Sequence, residues 1–235
     1  MAGPLTGKTV VELCDDLPGA FAGMLLADMG ATVIRVETEH TRRLGMLVES
    51  GMWERGKQSL ALAATHLKAP EVLDRLLRSA DVILESRVDS PQIVEASQIQ
   101  KALQAHPGIV HCLLLAFPQG SAFSHLPGRD GMVGAASGMM HELGFGGPPQ
   151  RLQVPLASHA TGLLAAYGVV AALLEAQRTG RGRRVQVSAY EAALMLQGSN
   201  LIAFPGIRHQ GGRGPQGTAP RRGCTSARRA GWCFR

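Results

Sequence analysis

Thr9–Glu37, TVVELCDDLPGAFAGMLLADMGATVIRVE, decides the fold class. Thr9–Leu13 reads as a buried strand. Gly19–Met29, rich in Ala, Leu and Met, reads as a helix, and Gly30 stands where a helix ends in a left-handed turn. Ala31–Glu37 alternates β-branched residues again and reads as a second strand. A strand, a helix and a strand in so short a span form a βαβ unit with its two strands parallel. Working outward, Gln58–Leu62 predicts a third strand and Pro70–Ala80 a helix with proline near its start. Asp81–Glu85 (DVILE) predicts a strand, Pro91–Ala105 a helix and Ile109–Leu115 (IVHCLLL) a strand. Helical patterns follow at Met132–Met140 and Ser158–Gln177, then a basic turn at Arg178–Arg184. A strand at Val185–Ser188 and a helix from Tyr190 complete the order. Strands alternating with helices predict an α/β, Rossmann-like parallel sheet with helices on both faces. In such sheets ligands sit beyond the carboxyl ends of the strands.

The chain has 235 residues, 45% of them hydrophobic and 18% charged, enough apolar material for one large packed core. No uninterrupted run of 18 apolar residues occurs, so no membrane-spanning helix is expected. MAGPLTGKTVVEL lacks the charged and apolar regions of a secretory signal. The four cysteines, Cys14, Cys112, Cys224 and Cys233, have no CxxC spacing, so reduced thiols are expected.

The net charge of +6 is uneven. Residues 205–235 hold seven of the 24 basic residues, all arginine, and no Asp or Glu. Residues 1–204 keep 17 basic against 18 acidic residues. The expected division is therefore a folded body over 1–204 and a Gly/Arg-rich tail over 205–235 too poor in aliphatics to fold alone. No aromatic stacking set accompanies the arginines, which argues against nucleic-acid binding.

The junction Cys14–Gly23 followed by Glu37 has the outline of a dinucleotide site, but GxGxxG is absent and Asp15 and Asp16 would repel a pyrophosphate. The competing reading is that Gly19 and Gly23 let the helix lie close to the sheet. None of the eight histidines has zinc spacing, so no metal site is expected, and neither GxSxG nor a P-loop is present. His111, inside an apolar strand, reads as a satisfied core residue. Asp130 follows Pro127-Gly128-Arg129 and opens a helix of small residues. It reads either as a plain helix cap or as a carboxylate nucleophile at the mouth of a cleft.

Several segments together resemble the class III coenzyme A transferases, the CaiB/BaiF group that includes formyl-CoA transferase-like and alpha-methylacyl-CoA racemase-like proteins. They are Pro18–Glu37, Arg55-Gly56-Lys57-Gln58-Ser59-Leu60, Ala80–Glu85, Pro127-Gly128-Arg129-Asp130, Ala136-Ser137-Gly138-Met139, and Thr179–Ser188 with Glu191-Ala192-Ala193. The resemblance implies a CoA-transferase that moves CoA from an acyl-CoA to a small carboxylic acid. Asp130 stands at the nucleophile position, passing through an acyl anhydride and an aspartyl-CoA thioester. CoA is then a substrate and no tightly bound cofactor is implied. Leu17, Pro18 and Gly19 would lie along the CoA, and Arg35, Arg55 and Lys57 would meet its phosphates. A homodimer and a cytoplasmic location are implied, with the mitochondrion as the alternative compartment.

The resemblance has departures. The family's ENFRPG-like segment reads Glu85-Ser86-Arg87-Val88-Asp89-Ser90 here, and its GFGQ-like segment reads Ala116-Phe117-Pro118-Gln119. Arg129 and Ser158 occupy the positions where the racemase branch has His and Asp, which disfavours a His/Asp racemisation. His159, at a helix start, reads as exposed. The small domain and the returning C-terminal segment are missing, so a truncated chain is expected. That leaves a catalytically impaired CoA-binding or dimerisation module as the alternative, with a nicotinamide oxidoreductase behind it.

Overall fold

The computed structural model describes residues 3–37, 50–63, 66–87, 94–144 and 147–198. The sequence elements at 199–235, including the tail and the last two cysteines, lie outside the described residues, as do residues 88–93 of the ENFRPG-like segment and the helix start that follows it. Six strands form one all-parallel sheet: β1 (Thr9–Leu13), β2 (Thr32–Glu37), β3 (Lys57–Ala61), β4 (Val82–Arg87), β5 (Val110–Leu115) and β6 (Arg184–Ser188), in the order β3-β2-β1-β4-β5-β6. The direction of strand addition reverses between β1 and β4, the switch point beside which open α/β sheets take their ligands.

Eight helices lie among the described residues: α1 (Leu17–Asp28), α2 (Ser50–Trp53), α3 (Ala69–Arg78), α4 (Ala96–Ala105), α5 (Asp130–Ala136), α6 (Met139–Leu143), α7 (Leu156–Thr179) and α8 (Ala189–Gln197). Strand residues alternate between faces. Val10, Val33, Leu84, Cys112 and Leu114 pack with α1 and α7, whereas Val11, Leu13, Ile83 and Val36 pack with α3 and α4. Central strands read as continuous apolar runs because both their faces are covered.

The helix predicted over Met132–Met140 is two helices. Gly138 breaks it with φ +79, a left-handed conformation that an L side chain resists. Gly30 takes φ +96 after α1, as the helix-end reading requires. The expectation that no helix could span a membrane needs correction. By length and composition α7 qualifies, its best window having a mean hydropathy of 1.5. Interspersed Ser, His, Thr and Gly hid it from a search for unbroken apolar runs. In this fold 56% of that window is buried, with Ala157, Ala165, Ala166 and Val169 inside the core.

Small residues set how closely the helices approach. A Cβ on Gly23 would lie 1.9 Å from Glu12 Oε2, and one on Gly19 would lie 2.2 Å from Cys14 Cβ. On α7, a Cβ on Gly162 would lie 2.6 Å from the Pro18 carbonyl oxygen and 3.0 Å from the Phe21 ring. Gly162→Ala is therefore expected to force α7 and α1 apart, at a cost of about 1–3 kcal/mol. A clear fall in the midpoint of chemical or thermal unfolding would show it; an unchanged midpoint would mean that the helices have slack there.

Candidate active site at the carboxyl edge of the sheet

Each of α1, α7 and α8 begins at the end of the sheet where the strands finish, so their N–H groups and positive dipole ends point to that edge. Asp130 opens α5 there. It does not cap its own helix, which corrects the cap reading: the cap position is Arg129, whose side chain makes no capping bond. The Asp130 carboxylate reaches the first turn of α7 instead. Its Oδ1 accepts from the Ser158 backbone N–H at 2.9 Å and from the Ser158 hydroxyl at 2.8 Å. Pro155, the residue preceding α7, offers no capping side chain, so Asp130 supplies from a distance what the local sequence lacks. Among the described residues, Oδ2 accepts no hydrogen bond. Asp130 also lines a hollow of about 20 Å³ with Met139, Met140, Leu143 and Leu156 in its wall and Arg151 at its side. That space holds a water-sized group.

The Leu17–Gly19 turn comes to the same edge. Asp16 caps α1 by accepting from Gly19 N–H at 3.0 Å, and the Ser86 hydroxyl of β4 donates to its other oxygen. Contact between Pro18 and Gly162 sets this turn about one helical turn, roughly 6 Å of rise, from Ser158. Asp130 and Leu17–Gly19 are thus brought together.

Of the three cations, Lys57 reaches the first turn of α1 from beneath, while Arg35 and Arg55 pair elsewhere. Lys57 has 2% of its side chain exposed and lies under α1. Its ammonium donates to Glu12 Oε1 at 3.1 Å and to the Ala20 carbonyl at 2.9 Å. It also sits 2.9 Å from Glu12 Oε2 and 3.4 Å from Glu54. Arg35, 8% exposed, pairs with the other oxygen of Glu54. The register puts Glu12, Arg35 and Lys57 on the α1 face of three adjacent strands, so this set is an internal ion-pair network. Arg55 pairs with Asp28, the last residue of α1. That is about 16 Å of helix rise away from Leu17. Expected at phosphates, the three cations have protein partners in this structure: Lys57 the buried Glu12, Arg35 the half-buried Glu54, and Arg55 the far end of α1.

A cluster that the sequence did not reveal stands at the first turn of α7. The rings of Phe21 (α1), Trp53 (α2) and His159 (α7) meet edge to face in all three pairs, with centroids 5.1 to 5.2 Å apart. The expectation of an exposed His159 is corrected: it is half-buried, and Nδ1 lies 2.8 Å from the Pro155 carbonyl. A carbonyl only accepts, so Nδ1 carries a hydrogen. No spacing rule links residues 21, 53 and 159, which is why only the fold shows the cluster.

Cysteine is a poor candidate for the nucleophile. Burial pushes the Cys112 thiol up to about 12. Burial, with the Asp16 and Glu12 carboxylates, holds Cys14 well above its usual range. Neither offers the thiolate that attack requires. Among the described residues no three His, Cys, Asp or Glu side chains gather as a metal site would need.

Comparison with known proteins gives one answer. A family model described as CoA-transferase family III matches residues 5–229. The chain is 36% identical over 198 residues to the alpha-methylacyl-CoA racemase of Mus musculus, covering 82% of this chain and 49% of that protein. It is 32% identical over 222 residues to the succinate–glutarate CoA-transferase of Agrobacterium fabrum, covering 85% and 55%. The crystal structure of the hypothetical protein Rv3272 from Mycobacterium tuberculosis superimposes with a TM-score of 0.76 at 31% identity, over 86% of this chain and 59% of that one. The chain spans about half the length of the curated relatives it matches.

Proposed function

Since the chain belongs to CoA-transferase family III, we propose that it is the part of an acyl-CoA:carboxylate CoA-transferase that carries the nucleophile, Asp130. The observation that supports this reading most is the division of labour on that carboxylate: Oδ1 held by two donors, Oδ2 accepting none among the described residues. A racemase assignment has less support, since Arg129 and Ser158 offer no His/Asp pair for moving an α-proton.

Asp130 Oδ2 attacks the thioester carbonyl carbon, the C–S bond breaks, and CoA leaves as thiolate, giving a mixed anhydride. The thiolate then attacks Cγ of Asp130 and expels the first carboxylate, leaving an aspartyl-CoA thioester. The acceptor's carboxylate repeats the attack on Cγ and releases thiolate, which takes the new acyl group and frees Asp130. Each step exchanges one oxyanion or thiolate for another, so no outside oxidant or proton source is consumed.

Whenever Cγ is attacked, negative charge develops on Oδ1. Ser158 N–H and Oγ–H already face that atom, so they act as an oxyanion hole for Asp130 itself. Ser158→Ala is expected to lower kcat by roughly 10- to 100-fold, with KM for the acyl-CoA little changed, because one donor remains. An unaltered kcat would remove the hydroxyl from the mechanism. The Leu17–Gly19 turn is the proposed CoA-facing edge, and the Phe21–Trp53–His159 rings form an apolar wall that limits water. The exposed stripe Leu163, Tyr167 and Leu174 on α7 is the surface through which the proposed homodimer would form.

The test is incubation with a panel of acyl-CoAs and small carboxylic acids. Exchange is read by chromatography, and a covalent CoA adduct on the peptide containing Asp130 by mass spectrometry. Exchange with the adduct supports the reading. CoA binding with neither would identify a binding module, and no CoA binding would defeat both.

A further inference from the structure

The sheet face opposite α1 and α7 is covered by α3 and α4, and along α4 a second cavity opens. It has a volume of about 460 Å³, within the range of small-molecule pockets. One wall comes from α4, which offers Ala96, Ile99 and Leu103 at helical spacing with Gln100 beside them. The floor is polar and crosses three strands, Glu85 and Arg87 from β4, His111 from β5 and Arg184 from β6. Arg184 stands directly opposite His111 in the register. The cavity extends to Pro107, Ile109 and Gly182 at the amino ends of the strands. It therefore lies on another face of the sheet from Asp130.

Charge decides what this cavity accepts. Glu85 is the one carboxylate among the described lining residues, and it is spent. Its Oε2 is 2.8 Å from His111 Nε2, its Oε1 accepts from Arg87 Nε at 2.6 Å, and its side chain is 3% exposed. Burial works against its charge, but the hydrogen bonds from His111 and Arg87 hold its carboxyl below the usual range. Arg87 thus balances Glu85. Arg183 at the rim is balanced by Glu175 at 2.6 Å. Arg184 is exposed and pairs with no carboxylate among the described residues. Among the described lining residues Arg184 is therefore the uncompensated cation, beside the hydrocarbon of α4.

We propose that this cavity is a binding site for a monoanionic amphiphile, a carboxylate on a hydrocarbon body, with the head group on Arg184 and the hydrocarbon against Ile99 and Leu103. Arg offers a planar fork that matches a carboxylate. The site is independent of the transferase reading.

Titration of the isotope-labelled full chain with octanoate tests it. Shift changes are expected at Ile99, Leu103, His111 and Arg184 with saturation. Octan-1-ol, which lacks the charge, should bind at least about tenfold more weakly, and so should octanoate to Arg184→Ala, whose exposed position leaves the fold intact. Leu103→Glu, which puts a like charge at the wall, should abolish saturation. CoA binding serves as the control and should be unchanged in both variants, so loss of this site and failure of the transferase reading are told apart. The proposal is overturned if octanoate leaves these residues unshifted, if Arg184→Ala binds it as the parent does, or if octanol binds equally well. Tighter binding of octyl phosphate than of octanoate would overturn the single-charge argument and show a dianion site.

Discussion

Asp130→Asn is expected to reduce CoA exchange by roughly a thousandfold or more, with the fold intact. The amide is nearly isosteric with the carboxylate, and its carbonyl oxygen can still accept from the Ser158 N–H and hydroxyl that Oδ1 now engages at 2.9 and 2.8 Å. The cap on α7 therefore survives while the proposed nucleophile is lost. Asp130→Ala removes both, and the missing cap should add about 0.5–2 kcal/mol of destabilisation. Comparing the two variants separates chemistry from architecture: neither should turn over, and Asn alone should keep the parent's melting temperature. Mass spectrometry should find no CoA adduct on either. Turnover that persists in the Asn variant would rule out attack by this side chain.

Why Asp130 was legible and its partner was not follows from where each signal resides. A carboxylate after Pro-Gly-Arg at the head of a small-residue helix is visible locally, because Pro127 and Gly128 mark a turn and Ala135 and Ala136 mark a helix. The destination of the carboxylate is not local. Ser158 lies 28 residues on, across a loop, and only the seating of α7 over α1 brings its N–H groups to Asp130. The sequence therefore suggests a cap but cannot say of which helix. The rings of Phe21, Trp53 and His159 are a stronger instance, since three separate elements supply them.

Fold class was readable because strand composition reports burial. TVVEL, TVIRVE, DVILE and IVHCLLL are each apolar on both faces, which parallel strands covered by helices require. The charged residues within those strands were the ambiguous part. Arg35 and Lys57 resembled a phosphate-binding pair because sequence shows charge without direction. Parallel pairing in register turns them to the same face as Glu12, where Lys57 pairs with that buried carboxylate and Arg35 with Glu54. The close-packing reading of Gly19 and Gly23, by contrast, is the one the structure bears out: the glycines leave room for Cys14 and Glu12, not for a pyrophosphate.

The largest effect on stability should come from that buried pair, and it should depend on pH. Burial raises Glu12 from 4.5 to about 7, against the opposing pull of Lys57. A carboxyl that holds its proton more tightly in the folded chain than in the unfolded one favours the fold below pH 4.5. That contribution declines as pH rises and is gone above about 7, once Glu12 ionises in the fold. The other charges facing it are Lys57, Glu54 and Arg35, with Glu54 adding a like charge. Lys57→Met removes the countercharge while filling a similar volume. Near pH 8 it leaves an ionised carboxylate, or the work of protonating one, in a dry site, which should cost about 3–5 kcal/mol. Near pH 5 Glu12 is protonated in the fold, so the same substitution should cost far less there. Chemical unfolding of parent and variant across pH 5 to 8 reads the difference directly. A penalty that is equal at both ends of the range would mean that Glu12 stays ionised beneath α1 throughout, held by Arg35 as well as Lys57, and that burial does not control its proton.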